Sequence, residues 1–482
     1  MRIARLLAVP LLLSCTRNAE VAHRGTAASP AVTIDAGALS GVVDTSGVLL
    51  FRGIPYAAPP VDDGRWRAPG PVAPWSGVRA ATALGHNCMQ GQPYGDIDPY
   101  AAGISEDCLY LNVWTTDADA SAKRPVMVWL HGGGYMAGFG GEERHNGARL
   151  AQKGAVVVTL NYRLGVYGFL AHPALVAESP NGSAGNYGLL DQVAALRWVQ
   201  RNIARFGGDP SRVTIFGESA GGLSVGSLIA SPLAKGLFHR AILQSGDAVG
   251  GAHRIDTVSA EGLAFATTMG ITGTSAGALA QLRALSADSL LHAMLPPNGT
   301  GGVKTAFNPR VTRDGWVVPR SVDSALALGT ANVVPVIVGA TGDEGDGTYA
   351  TSRSLARLVT AQKANAYLYV FTRVGEDSAA KARGAYHSAD ITFTFGRPRT
   401  LLASAGHTSY DAALADAMSD YFVSFAATGN PNRGNRPAWP VYDPGTDAYM
   451  DLGATIGAGT NRRRIVLDSL DAKARARGQV RP

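Results

Sequence analysis

Residues 212–222 read RVTIFGESAGG, and no other stretch constrains the chain as tightly. Val213, Thr214, Ile215 and Phe216 form a short β-branched and aromatic run of the kind a buried strand carries. Gly217-Glu218-Ser219-Ala220-Gly221 follows at once and matches G-x-S-x-G. Leu223, Val225, Leu228 and Ile229 then recur at roughly helical spacing. A strand, a sharp turn and a helix are the setting in which this motif becomes a nucleophile elbow, with the serine hydroxyl projected above a sheet. Flanking glycines let the strand and helix approach closely. The helix N-terminus then lies under the serine, where its dipole favours developing negative charge. A glycine-rich turn competes with this reading, since 59 of the 482 residues are glycine. An elbow requires an oxyanion hole, a base and an acid elsewhere in the chain.

The surrounding pattern is that of an α/β protein. Ala31 to Gly53 alternates apolar runs with turn residues and predicts two or three antiparallel strands. Ser105 to Trp114 leads into another strand. PVMVWL (125–130) and AVVVTL (155–160) are continuous apolar runs, as central strands covered on both faces would be. Val193, Leu196, Val199, Ile203 and Phe206 mark a helix within 191–206. Residues 240–244, 333–338 and 366–371 are further strand candidates. Strands alternating with helices predict a large, mostly parallel sheet with helices on both faces. No linker divides residues 31–482, which are expected to form one domain.

The first of the central runs ends in His131-Gly132-Gly133-Gly134-Tyr135. Consecutive glycines let backbone N–H groups converge on one point, so Gly133 and Gly134, with Ala220 from the elbow, are the candidate oxyanion donors. The expected order of the remaining groups is serine, acid, histidine. Residues 336–338 run into an acidic loop holding Asp343 and Glu344. After the next strand candidate comes His387. His86, His172, His239 and His253 precede the acidic loop and fail the order, and His407 falls where a helix is expected to begin. Position favours His387, with a surface histidine as the alternative.

The N-terminus predicts an export signal in residues 1–15: Arg2 and Arg5 precede an apolar stretch, Leu6 to Leu13, too short to span a bilayer. Leu12-Leu13-Ser14-Cys15 looks like a lipobox, which would lipidate Cys15 and anchor a periplasmic or cell-envelope lipoprotein; ordinary secretion is the alternative. Residues 16–30 read as a flexible tether. With Cys15 removed or lipidated, Cys88 and Cys108 remain as a pair in an exported protein, an expected disulfide. The net charge of +6 is concentrated near the C-terminus, in Arg462, Arg463, Arg464, Lys473, Arg475, Arg477 and Arg481, expected to be a solvated helical tail. No aromatic-interleaved basic groove suggests nucleic acid, and no metal-ligand spacing is present.

Several motifs occur together and in order: His131-Gly132-Gly133-Gly134, Ser105-Glu106-Asp107-Cys108-Leu109, Asn161-Tyr162-Arg163-Leu164-Gly165, Gly188-Leu189-Leu190-Asp191-Gln192 and the elbow itself. Gly429-Asn430-Pro431 and Trp439-Pro440 follow near the end. With these the chain resembles the type-B carboxylesterase family, which includes para-nitrobenzyl esterases and cholinesterases. The resemblance implies an α/β-hydrolase fold and a serine carboxylesterase that forms an acyl-enzyme on a small-molecule ester without a cofactor. It implies Ser219 as nucleophile, Glu344 as acid with Asp343 as second choice, and His387 as base. Gly133, Gly134 and Ala220 match the oxyanion hole, and Cys88 and Cys108 match a disulfide. Ser245 matches a serine that supports the triad by hydrogen bonding. Arg65 with Glu106, and Arg163 with Asp191, match structural ion pairs.

Two departures bear on specificity. Glu344 and His387 are 43 residues apart, shorter than expected for the family, which implies a more open pocket. The segment before Ser105 lacks the tryptophan that cholinesterases use for quaternary ammonium, leaving Tyr94 or Tyr100 as weaker cation–π partners. Amide or thioester hydrolysis would use the same parts. A binding-only relative would lack the triad, whereas Ser219, Glu344 and His387 are all present. The sequence leaves the oligomeric state open.

Overall fold

A computed structural model describes residues 29–91, 94, 97, 102–247, 249–295, 307–397, 409–477 and 480. Cys15, Tyr100 and His407 lie outside these residues. Its centre is an eleven-stranded mixed sheet. From one edge the order is Ile456–Gly459, Tyr449–Leu452, Ala366–Phe371, Val336–Thr341, Arg240–Gln244, Gly208–Glu218 and Arg124–Leu130. Val156–Leu160, Tyr110–Thr115, Leu49–Pro55 and Val42–Val43 follow to the other edge. The strands from Tyr449–Leu452 through Val156–Leu160 run parallel. Those beyond, at both edges, are antiparallel.

The continuous apolar runs have the burial expected of them. Along Arg124–Leu130, Val126, Val128 and Leu130 enter one core, while Met127 and Trp129 enter the other. This is the two-residue alternation of a strand covered on both faces. Tyr187–Asn202, Ala220–Ala230 and Asp346–Ala361 cover the first face, and Ser409–Thr428 covers the second. Two expected boundaries move. Residues 31–55 contribute four strands rather than two or three, Ala31–Ile34 and Gly37–Ser40 forming part of a separate small sheet. The strand expected at 333–338 begins at Val336, because Pro335 has no N–H for the ladder.

Cys88 and Cys108 are joined in a disulfide. Near it, Arg65 holds Glu106 through two parallel bonds, Nε to Oε1 at 2.6 Å and Nη2 to Oε2 at 2.5 Å. Arg163 clamps the fully buried Asp191 in the same way, at 2.8 and 2.7 Å, with its own backbone N–H adding a third bond. Bidentate pairs of this kind fix orientation as well as charge, so both arginines hold the fold, as the sequence implied.

The C-terminal helix, Arg464–Ala476, is not the wholly solvated tail expected. The buried Arg353 side chain reaches Asp447, Asp468 and Asp471, which ties this helix to Asp346–Ala361. Arg462 stacks over Tyr349 and Arg463 pairs with Asp346, while Lys473, Arg475 and Arg477 are exposed. Of the arginine run, Arg464 alone approaches a buried carboxylate, with Nε 3.7 Å from Asp447, while Arg463 stays exposed. Among the described residues, no helix is long and apolar enough to cross a membrane.

Candidate active site

The candidate residues gather at the C-terminal ends of the parallel strands, where open α/β sheets place their ligands. Gly217 of the elbow strand pairs with Leu130, the last residue before the glycine loop. Gln244 pairs with both Glu218 and Gly339, so the acidic loop emerges one strand further along. Thr341 pairs with Phe371, and the chain beyond Phe371 leads to His387.

Ser219 stands between strand and helix with φ +55° and ψ −122°. A non-glycine residue there stores of order 1–3 kcal/mol of backbone strain. The turn is held by the Ser219 N–H donating to the Gln244 carbonyl at 2.9 Å, and by Leu223 N–H closing the first helical bond onto Ser219. A Cβ on Gly221 would lie 2.0 Å from the Leu130 carbonyl oxygen, so only glycine admits this crossing of helix and strand. Ala220 opens the helix, so its N–H has no intrahelical acceptor.

The glycine loop turns on Gly133, whose φ is +98° and whose carbonyl accepts from Met136 and Ala137 at 2.9 and 3.1 Å. Gly134 is also left-handed, and the Tyr94 hydroxyl lies 2.6 Å from where its Cβ would be. Tyr94 is thus brought to the oxyanion loop. His131, which opens that loop, is buried and stacked on Tyr162. Burial holds its imidazole down near about 4, so it is a neutral packing element.

His387 Nδ1 is hydrogen-bonded to Glu344 Oε2, and the other carboxylate oxygen accepts the Thr341 N–H at 2.9 Å. Of the two acidic candidates, Glu344 therefore faces the histidine. Asp343 Oδ2 accepts instead from the backbone of Ala385. His387 Nε2 lies 3.2 Å from Glu218 Oε1, and among the described residues no hydrogen bond joins it to Ser219 Oγ. Burial works against the imidazolium. The Glu344 hydrogen bond and the charges of Glu218, Glu344 and Asp390 outweigh it and raise His387 to about 9.

One expected contact is not formed. Ser245 has φ +52°, and among the described residues its buried Oγ has no hydrogen-bond partner, so the expected side-chain bond to the triad is not seen. Its backbone does the holding, the N–H donating to the Gly339 carbonyl at 2.8 Å.

Two residues escaped the sequence reading. Glu218, the x before the serine, is buried and raised to about 7 by burial, an effect that Asp390 reinforces and His387, Ser388 and Arg144 oppose. Ser388 Oγ donates to Glu218 Oε1 at 2.7 Å. The available signal was a charged residue directly after the buried run 213–217. Beneath them Asp390 is buried and accepts from Gln244 at 2.9 Å and Tyr369 at 2.7 Å. Among the described residues, no group of three or more His, Cys, Asp or Glu is placed to hold a metal ion.

A nucleophile on a strained turn, an imidazole fixed by a carboxylate and a left-handed glycine loop suit acyl transfer through a covalent intermediate. Comparison with known proteins agrees. The model described as the carboxylesterase family matches residues 28–355 and 347–465. The chain is 36% identical to the fumonisin B1 esterase of Sphingopyxis macrogoltabida, over 88% of this chain and 86% of that protein. It is 34% identical to the para-nitrobenzyl esterase of Bacillus subtilis (strain 168), over 88% and 95%. A solved Geobacillus stearothermophilus carboxylesterase superposes with a TM-score of 0.78 at 32% identity, covering 91% of this chain and 99% of that one.

Proposed function

The chain belongs to the carboxylesterase family and is a carboxylic ester hydrolase of the α/β-hydrolase fold; from that premise we propose that Ser219, Glu344 and His387 are its triad. The pairing of His387 with Glu344, with Nε2 3.2 Å from the residue that precedes a serine of φ +55°, carries this assignment. Ser219 Oγ attacks the ester carbonyl carbon while His387 Nε2 takes its proton. Glu344, on Nδ1, keeps the ring oriented and stabilises the imidazolium. The N–H groups of Gly133, Gly134 and Ala220 receive the oxyanion, each worth a few kcal/mol in the transition state. The carbon–oxygen bond to the alcohol breaks as Nε2 returns the proton to the leaving oxygen. Water then attacks the acyl-enzyme by the same path, releasing the acid and free Ser219. No step needs a cofactor.

The relatives are named for different esters, fumonisin B1 and para-nitrobenzyl esters, so the acyl and alcohol groups are set by side chains outside the triad. The short passage from Glu344 to His387 and the half-exposed His387 side chain support an open, accommodating site. Reaction with an aryl phosphonate ester tests the assignment. One phosphonyl adduct on the peptide holding Ser219 is expected. An adduct on another residue, with activity lost, would overturn it.

Residues 1–15 are, in the same reading, an export signal, with Cys15 as a lipid anchor for a cell-envelope enzyme. The Cys88–Cys108 disulfide supports an oxidising compartment. Cys15→Ala should abolish membrane association of the processed protein. Unchanged processing and association would dismiss the anchor.

A further inference from the structure

Ser388 has φ +74°, a left-handed conformation that glycine adopts without cost and that costs other residues roughly 1–2 kcal/mol. A serine there is disfavoured locally, yet its side chain is fully used: Oγ–H donates to Glu218 Oε1 at 2.7 Å. That same oxygen faces His387 Nε2 at 3.2 Å. Glu218 is buried, and its other oxygen lies against the glycine loop, 2.9 Å from where a Cβ on Gly132 would be. A buried carboxylate one residue before the nucleophile would stay ionised only with donors and cations around it. Those facing it are Ser388, His387 and Arg144, with Asp390 opposing. His387 in turn faces Glu344, Glu218 and Asp390.

We propose that Ser388 is a positioning residue for the general base: its hydroxyl keeps the Glu218 carboxylate ionised and aimed at His387 Nε2. This rests on the triad assigned above and adds a second acceptor to it. Between turnovers the imidazolium keeps its Nε2 proton and donates it as a hydrogen bond to Glu218 Oε1. During turnover Nε2 takes the Ser219 proton and gives it to the leaving alcohol, with Glu218 accepting a hydrogen bond and no proton. Ser388 thereby sets the pH at which His387 becomes free to act. Without its hydroxyl, Glu218 takes up a proton more readily, the charge that favours imidazolium is lost near neutrality, and His387 deprotonates at lower pH.

The test is the pH profile of kcat/KM on a para-nitrophenyl ester for wild type, Ser388→Gly, Ser388→Ala and Glu218→Gln, with thermal midpoints measured alongside. Ser388→Gly relieves the left-handed strain and is expected to fold at least as stably as wild type. Both Ser388 variants should move the acid midpoint of kcat/KM down by about half a pH unit or more. Glu218→Gln should move it in the same direction, and adding Ser388→Ala to Glu218→Gln should move it no further. A purely structural serine would give a more stable Ser388→Gly with an unmoved midpoint, and that result would overturn the proposal. So would an equal shift from Ser388→Ala with and without Glu218. If turnover proves independent of Ser219, it is the triad assignment that fails; serine-dependent turnover with an unmoved midpoint rejects the role of Ser388 alone.

Discussion

Asp343 Oδ2 accepts the backbone N–H of Ala385 at 2.7 Å, and Asp343 N–H donates back to the Ala385 carbonyl at 3.1 Å. The acidic loop and the histidine loop are thus laced together by one aspartate, while its neighbour Glu344 turns to the imidazole. Adjacent carboxylates have separate tasks. Glu344→Gln, which removes the charge behind the imidazolium, should lower kcat by roughly ten-thousandfold. Asp343→Asn keeps an acceptor for Ala385 and should cost about 1 kcal/mol, or roughly fivefold. Steady-state kinetics of the two variants on one ester would separate them. A larger loss for Asp343→Asn would reverse the assignment.

The glycine loop should be intolerant of a methyl group. A Cβ on Gly133 would lie 2.2 Å from the Ala137 carbonyl oxygen, on a residue whose φ is +98°. Gly133→Ala should displace the donor and reduce kcat about 100- to 1000-fold, the usual effect of losing one oxyanion donor. KM should change far less. A loss confined to KM would place Gly133 in ground-state binding instead.

His387 acts as base only when neutral, and the carboxylates around it favour its protonated form, raising it to about 9. Activity should therefore fall as pH drops, with an acid midpoint above the value near 6.5 of a free imidazole. A kcat/KM profile measured from pH 5 to about 10 checks the sign. A midpoint below about 6 would mean that His387 is not the group being titrated.

Much of this arrangement could be read in the chain itself, because it rests on local pattern. The strand Ala366–Phe371 falls at the residues its apolar run marked, and the elbow helix Ala220–Ala230 follows from the spacing of Leu223, Val225, Leu228 and Ile229. Contacts between residues far apart in sequence were not legible. Glu218 and Ser388 are 170 positions apart, and no periodicity couples them. Ser245 shows the opposite case: motif likeness implied a side-chain bond, but among the described residues its Oγ has no partner. Arg462 and Arg463 read as wholly solvated because their partners, Tyr349 and Asp346, belong to a helix more than a hundred residues earlier.

The Cys88–Cys108 bond closes a loop of 20 residues in separation. Replacing both cysteines with serine should destabilise the protein by about 3 kcal/mol in the chain-entropy model. The readout is a lower thermal midpoint, with activity per folded molecule retained. An unchanged midpoint would show that the loop is held by Arg65 and Glu106 without the bond.

The most direct measurement is hydrolysis of a panel of para-nitrophenyl acyl esters by wild type and by Ser219→Ala. Serine-dependent turnover on at least one ester, with Ser219→Ala slower by roughly a millionfold in kcat, is the predicted result. Wild-type turnover that survives Ser219→Ala, or no turnover of any ester, would contradict the assignment of Ser219 as the acyl acceptor.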